Sequence, residues 1–285
     1  MSTQPLPAMN LRVLLSLLVL LAVGWNAHAQ PWSRALPTPQ GGDYGNGVAA
    51  SDVVGGVFSA SGAAAAVPAV AYGVPTGFGA DWRDVFAAAG MQGGLRYDPD
   101  FIDGVVFGGA GLGNAQRTVG VELTLAVVDL VGETFKDQTL SVKIHRRFGA
   151  WGVAGGVENL FIMGTTDGGT SAYGVVSGHL MPQNGTRAWL QQVTVTAGVG
   201  DGRFNTVNRV RREKNTASAF GSLAVRVHSS LSALATWNGQ DLTVGASIAP
   251  FPTLPIVITP VLLDVSGQAD SRPRIALSMG VGITL

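Results

Sequence analysis

The last twelve residues, Arg274 to Leu285, alternate without a break. Ile275, Leu277, Met279, Val281, Ile283 and Leu285 are large and apolar, and Ala276, Ser278, Gly280, Gly282 and Thr284 between them are small or polar. Period-two alternation of this length specifies a β-strand with unlike environments on its two faces. As the final segment of the sequence it is expected to pair back into its own sheet, because an unpaired edge is an aggregation hazard. Large residues on one face and Gly, Ala, Ser and Thr on the other form the dyad pattern of a closed barrel in lipid, greasy side outward.

From Asp84 onward the same texture recurs as short apolar runs separated by turn residues. Strands are expected near 84–91, 103–110, 117–129, 138–148, 150–157, 172–181, 187–199, 217–228, 230–237, 241–249, 256–264 and 274–285. Val119, Val121, Leu123, Leu125 and Val127 oppose Gly120, Glu122, Thr124 and Ala126, and Leu242, Val244, Ala246 and Ile248 oppose Thr243, Gly245 and Ser247. The run 256–264 is the poorest, because Pro260 removes a ladder donor. Every second connection is short: 111–116, a turn at Gly149, 182–186 with Asn184-Gly185, a turn at Ser229, and 250–255. Those between are longer, except the tight Asn238-Gly239 hairpin. The expected fold is all-β, a closed antiparallel up-and-down transmembrane β-barrel of 12 strands, with 10 or 14 if one weak hairpin is misread.

Three regions follow. Residues 1–29 read as a signal peptide: Arg12 is the lone charge before the apolar run Val13 to Val23, and Ala27-His28-Ala29 is a small-residue cleavage signature. That run is shorter than the ~20 residues a membrane helix needs. Residues 30–83 are rich in Pro, Gly and Ala without a sustained period, and read as a tail or a plug, a simple tail being favoured on composition. Residues 84–285 are the barrel. Charged residues make up 13% of the chain, roughly half the soluble average of ~25%. Eighteen basic residues balance eighteen acidic ones, so there is no electrostatic case for nucleic acid. The absence of Cys excludes a disulfide framework.

Alternating strands, the export signal, the missing Cys and the terminal dyad strand together make the segment from about Asp84 to Leu285 resemble a bacterial (Gram-negative type) outer-membrane β-barrel protein. The resemblance is one of pattern. It is carried at the C-terminus by Leu277, Met279, Val281 and Ile283, and Leu285 departs from it, since such barrels usually end on an aromatic residue. It implies the cell outer membrane as location, with the barrel-assembly machinery and outer-membrane lipids, lipopolysaccharide among them, as partners.

Polar residues inside a barrel tune what enters it. The face opposite Leu140, Val142 and Ile144 carries Lys143, His145 and Arg147; the neighbouring strand supplies Glu122, and 217–228 supplies Arg226 and His228. These six are the expected lumen-lining residues. They make either a basic constriction favouring anions or a set of charges that pair across the interior; pairing is favoured, because Glu122 is a ready partner for Lys143 or Arg147. A second group, Arg203, Arg209, Arg211, Arg212 and Lys214, reads as a basic patch on an outer loop, either solvated or facing lipopolysaccharide phosphates. Trp151, Trp189 and Trp237 lie near strand ends and fit interfacial belts.

No cofactor or metal is expected, since His145, His179 and His228 lie on separate strands without convergent ligands. His228-Ser229-Ser230 has the spacing of outer-membrane lipid A deacylases, but no carboxylate completes it convincingly. The chain therefore reads as non-enzymatic, a small passive channel or a structural membrane protein. The rivals are a lipid A deacylase-like enzyme and a soluble secreted β-sandwich binding module.

Overall fold

A computed structural model describes residues 66–93, 102–128, 137–164, 169–180, 190–206, 216–267 and 272–285. The expected signal peptide and residues 30–65 lie outside this set. Twelve strands follow one another: β1 (Asp84–Gly93), β2 (Ile102–Gly113), β3 (Gly120–Val128), β4 (Asp137–Phe148), β5 (Trp151–Met163), β6 (Ser171–Leu180), β7 (Gln192–Gly200), β8 (Ser218–His228), β9 (Leu231–Trp237), β10 (Leu242–Ile248), β11 (Ile256–Leu263) and β12 (Arg274–Thr284). Each pairs antiparallel with its chain neighbours, and β1 closes onto β12 from Asp84↔Thr284 to Gly93↔Ile275. The result is a closed up-and-down barrel in which neither terminal strand presents an edge. No helix among the described residues is long and apolar enough to cross a membrane, which has no bearing on crossing by strands.

The alternation becomes two faces. On β12, Ile275 is 67% exposed and Leu277 41%, while Ala276 and Ser278 are buried. On β3, Leu123 and Leu125 stand outside, and Glu122, Thr124 and Ala126 are buried inside. The outer surface is thus an apolar belt of Leu, Val, Ile and Phe, and the inner one is lined by Ser, Thr and paired charges. Trp82, Phe148, Trp151 and Phe251 are exposed at the end where the short turns and both ends of the barrel meet.

Two strands, β5 and β7, differ most from the expected spans. β5 runs on to Met163 instead of stopping at 157, because the chain bulges after Val157. The pairing jumps from Val142↔Val157 to Leu140↔Phe161, and Asn159 takes the left-handed conformation (φ 52°) that lets the strand resume. A bulge breaks period two in the sequence, so the continuation is hidden there. β7 begins at Gln192, five residues later than expected.

Pro260 leaves a seam. β11 pairs with β12 throughout, but with β10 only at Val244↔Leu262, Gly245↔Val261 and Ile248↔Ile258. The gap falls opposite Pro260, which has no N–H to give. Ser247 and Thr259 partly bridge it, hydroxyl to hydroxyl at 2.9 Å. Pro260→Val restores the donor and is expected to raise stability by about 0.5–1.5 kcal/mol, the net worth of one such bond. A urea midpoint of the refolded barrel that fails to rise would show that the gap has another cause.

Candidate functional site: the occupied lumen

Residues 66–81 do not lie outside the barrel. They run through its interior, where Val70, Ala71, Tyr72, Val74, Phe78 and Ala80 are buried. Of the two readings open for residues 30–83, the tail does not describe this stretch. The segment is a bent hairpin. It climbs along the β8–β11 wall from Ala69, turns near Gly73 at the long-loop end, and descends along β3–β6 to Asp81 at the short-turn end.

Its path follows from the need to satisfy a buried backbone that joins no ladder. On the climb, Ala69 N–H donates to Ser247 Oγ at 2.7 Å, and Ser222 Oγ donates to the Val70 carbonyl at 3.1 Å. At the turn, the Arg203 guanidinium donates to the Gly73 carbonyl at 3.0 Å. On the descent, Gly77 N–H donates to Ser177 Oγ at 2.9 Å and Ala80 N–H to Glu122 Oε2 at 2.8 Å. The Phe78 carbonyl accepts from Lys143 Nζ at 3.1 Å, and the Ala80 carbonyl from His145 Nε2 at 3.0 Å. Two apolar clusters seal the fit. Ala69, Val70 and Tyr72 pack on Ala224, Leu234, Val257 and Val261, and Ala71 and Val74 pack on Val175, Phe204 and Phe220. Phe78 stacks on the His179 ring, with centroids 4.3 Å apart.

At β5 the hairpin approaches the wall backbone to backbone. A Cβ added to Gly152 on β5 would stand 2.5 Å from the Gly77 carbonyl oxygen and 2.7 Å from Phe78 Cδ1. Glycine is required there by the neighbouring chain, not by its own dihedrals.

The six expected lumen residues divide. Glu122 and Lys143 are cross-strand partners and form an ion pair at 3.1 Å, with both side chains at most 10% exposed. His145 stands beside them, 4.0 Å from Asp81 Oδ1. These three hold the hairpin's descending limb. Arg147 reaches the short-turn mouth, with its guanidinium 5.7 Å from the Phe78 ring centroid and Nε donating to the Gly149 carbonyl. Arg226 faces inward on the opposite wall with no described carboxylate beside it.

His228 is a correction. A register shift between Arg226 and His228 takes it out of phase, and it stands exposed at the Ser229–Ser230 turn instead of lining the interior. Its Nδ1 lies 3.0 Å from Ser230 Oγ. No carboxylate among the described residues is hydrogen-bonded to the pair, and Asp241 sits at the other end of the β9–β10 hairpin.

Arg203 is the second correction. The expected outer-loop patch of Arg203, Arg209, Arg211, Arg212 and Lys214 does not hold for Arg203; the other four lie outside the described residues. Arg203 turns inward from the 3-10 turn Gly202–Phe204 and is only 10% exposed. Nε and one terminal nitrogen grip both carboxylate oxygens of Glu158, the second at 3.1 Å, and the guanidinium lies 4.3 Å from the Phe204 ring centroid. Glu158 continues the inward set of β5 after Gly152, Ala154 and Gly156, one residue past the expected end of that strand. An Arg in a connection without a period gave no signal of this pairing; the hairpin residues gave only their apolar character.

No family model matches this chain, and no curated protein matches it. A solved structure that does match is the crystal structure of an outer membrane channel from Pseudomonas putida F1, at 10% sequence identity and a TM-score of 0.40, covering 70% of this chain and 95% of that one.

Proposed function

We propose that the chain is a non-enzymatic outer-membrane barrel of the channel type, kept closed by its own residues 66–81. One observation carries the reading. The hairpin is held by wall side chains and contributes no strand to the ladder, so it can leave without breaking the barrel's own hydrogen bonds. The apolar outer belt fits a lipid surface, and short turns at one end with long loops at the other fit a bacterial barrel with its turns in the periplasm. Outer-membrane lipids, lipopolysaccharide and the assembly machinery are the partners this reading supposes.

The test is conductance across a planar bilayer. The full-length chain is expected to give rare or no steps, and a variant lacking residues 66–80 stable ones. A deletion variant that stays folded, judged by heat-modifiable migration, yet never conducts would remove the channel reading and leave a structural role.

A further inference from the structure

The interior basic side chains are not equivalent. Lys143 holds Glu122, Arg203 holds Glu158, and Arg274 holds Asp264 at 2.7 Å. Arg226 has no such partner among the described residues. It belongs to the inward set of β8 with Ser222 and Ala224, two residues from the strand's short-turn end. Its Nε–H is buried and makes no hydrogen bond. The facing residue on β9 is Ser232, 1% exposed, whose hydroxyl also makes none.

The surroundings narrow what is missing. On the β7 side Arg226 faces Gln192, whose Nε2 is already engaged with His179 Nδ1 and Thr194 Oγ1. On the far side of Ser232 the row continues to Ser247, held by Ala69 and Thr259. Among the described residues, no acidic one stands in the row. A guanidinium keeps its charge, and a buried donor left unmade is costly. An acceptor with negative charge would answer both the unmade donor and the unpaired cation. The Nε–H edge of a guanidinium offers two parallel donors spaced for a carboxylate or phosphate, and Ser232 Oγ adds a third from the next strand.

We propose that Arg226 and Ser232 form a binding site for a small oxyanion, a carboxylate or phosphate, entered from the short-turn end of the lumen. The site rests on the reading of the chain as a channel-type barrel, but not on conduction.

Inorganic phosphate titrated at constant ionic strength onto the full-length folded barrel tests it, read as the temperature at which heat-modifiable migration is lost. The wild type is expected to show a saturable rise, since a ligand that binds only the folded state stabilises it. Arg226→Gln abolishes the rise. Arg226→Lys keeps the charge but loses the Nε–H edge, and weakens binding about tenfold. Arg147→Gln, at the same mouth, leaves it unchanged. Absence of a saturable effect in the wild type overturns the site. So does wild-type affinity in Arg226→Lys, or an equal loss in Arg147→Gln, either of which reduces it to general positive charge. Because no current is measured, a failed channel reading and a failed anion site give different results.

Discussion

Arg203→Met is expected to destabilise the closed barrel by about 3–5 kcal/mol, the cost of breaking a buried ion pair from one side. The substitution strands the Glu158 carboxylate, 7% exposed, without its two-pronged partner. It also removes the donor to the Gly73 carbonyl, so the hairpin loses its fastening at the turn. Met keeps most of the apolar stem over Phe204, which separates the electrostatic loss from lost packing. The double variant Arg203→Met with Glu158→Leu leaves no unpaired charge at this position and is expected to recover most of the stability. Urea midpoints of the four proteins in the cycle measure this. A single variant within about 0.5 kcal/mol of wild type, the range of an ordinary surface change, would mean the pair holds nothing.

The second large effect is steric. Gly152→Val places two methyl groups where the Gly77 carbonyl and the Phe78 ring now sit. β5 itself accepts Val readily, so the barrel persists and the hairpin must move. Overpacking of this kind costs about 1–3 kcal/mol, which shifts the closed–open balance by roughly 5- to 150-fold. Full-length Gly152→Val is therefore expected to conduct without any deletion, and to expose Phe78 and its neighbours to protease. Silent membranes and unchanged proteolysis, in a protein that still migrates as a folded barrel, would show that the wall yields instead of the hairpin.

Most of the wall was legible because a strand's period is local. Each residue's face follows from its neighbours two positions away, and the turns punctuate the runs, so twelve strands and their closure could be read in order. The same logic made Glu122 and Lys143 natural partners on adjacent strands. It failed where the period is interrupted. The bulge at Glu158–Leu160 concealed the outer half of β5, and the register shift after Arg226 moved His228 out to the turn. Arg203 sits in a connection with no period at all, so nothing local told its inward aim from the solvated loop expected of a basic run.

Residues 66–81 were illegible for a different reason. Their pattern of Pro, Gly and Ala encodes no repeating structure; the shape comes from the Ser, Thr, Glu, Lys, His and Arg side chains that meet many of its backbone groups. Those partners lie between 2 and 178 positions away in the chain, from Thr76–Phe78 to Ala69–Ser247. The barrel follows from local pattern alone, since alternation and turn spacing act over a few residues and a closed ladder leaves them one consistent outcome. That residues 66–81 occupy the lumen, and which charges they engage, emerges only in the folded protein, because those depend on which distant walls a non-repeating segment touches.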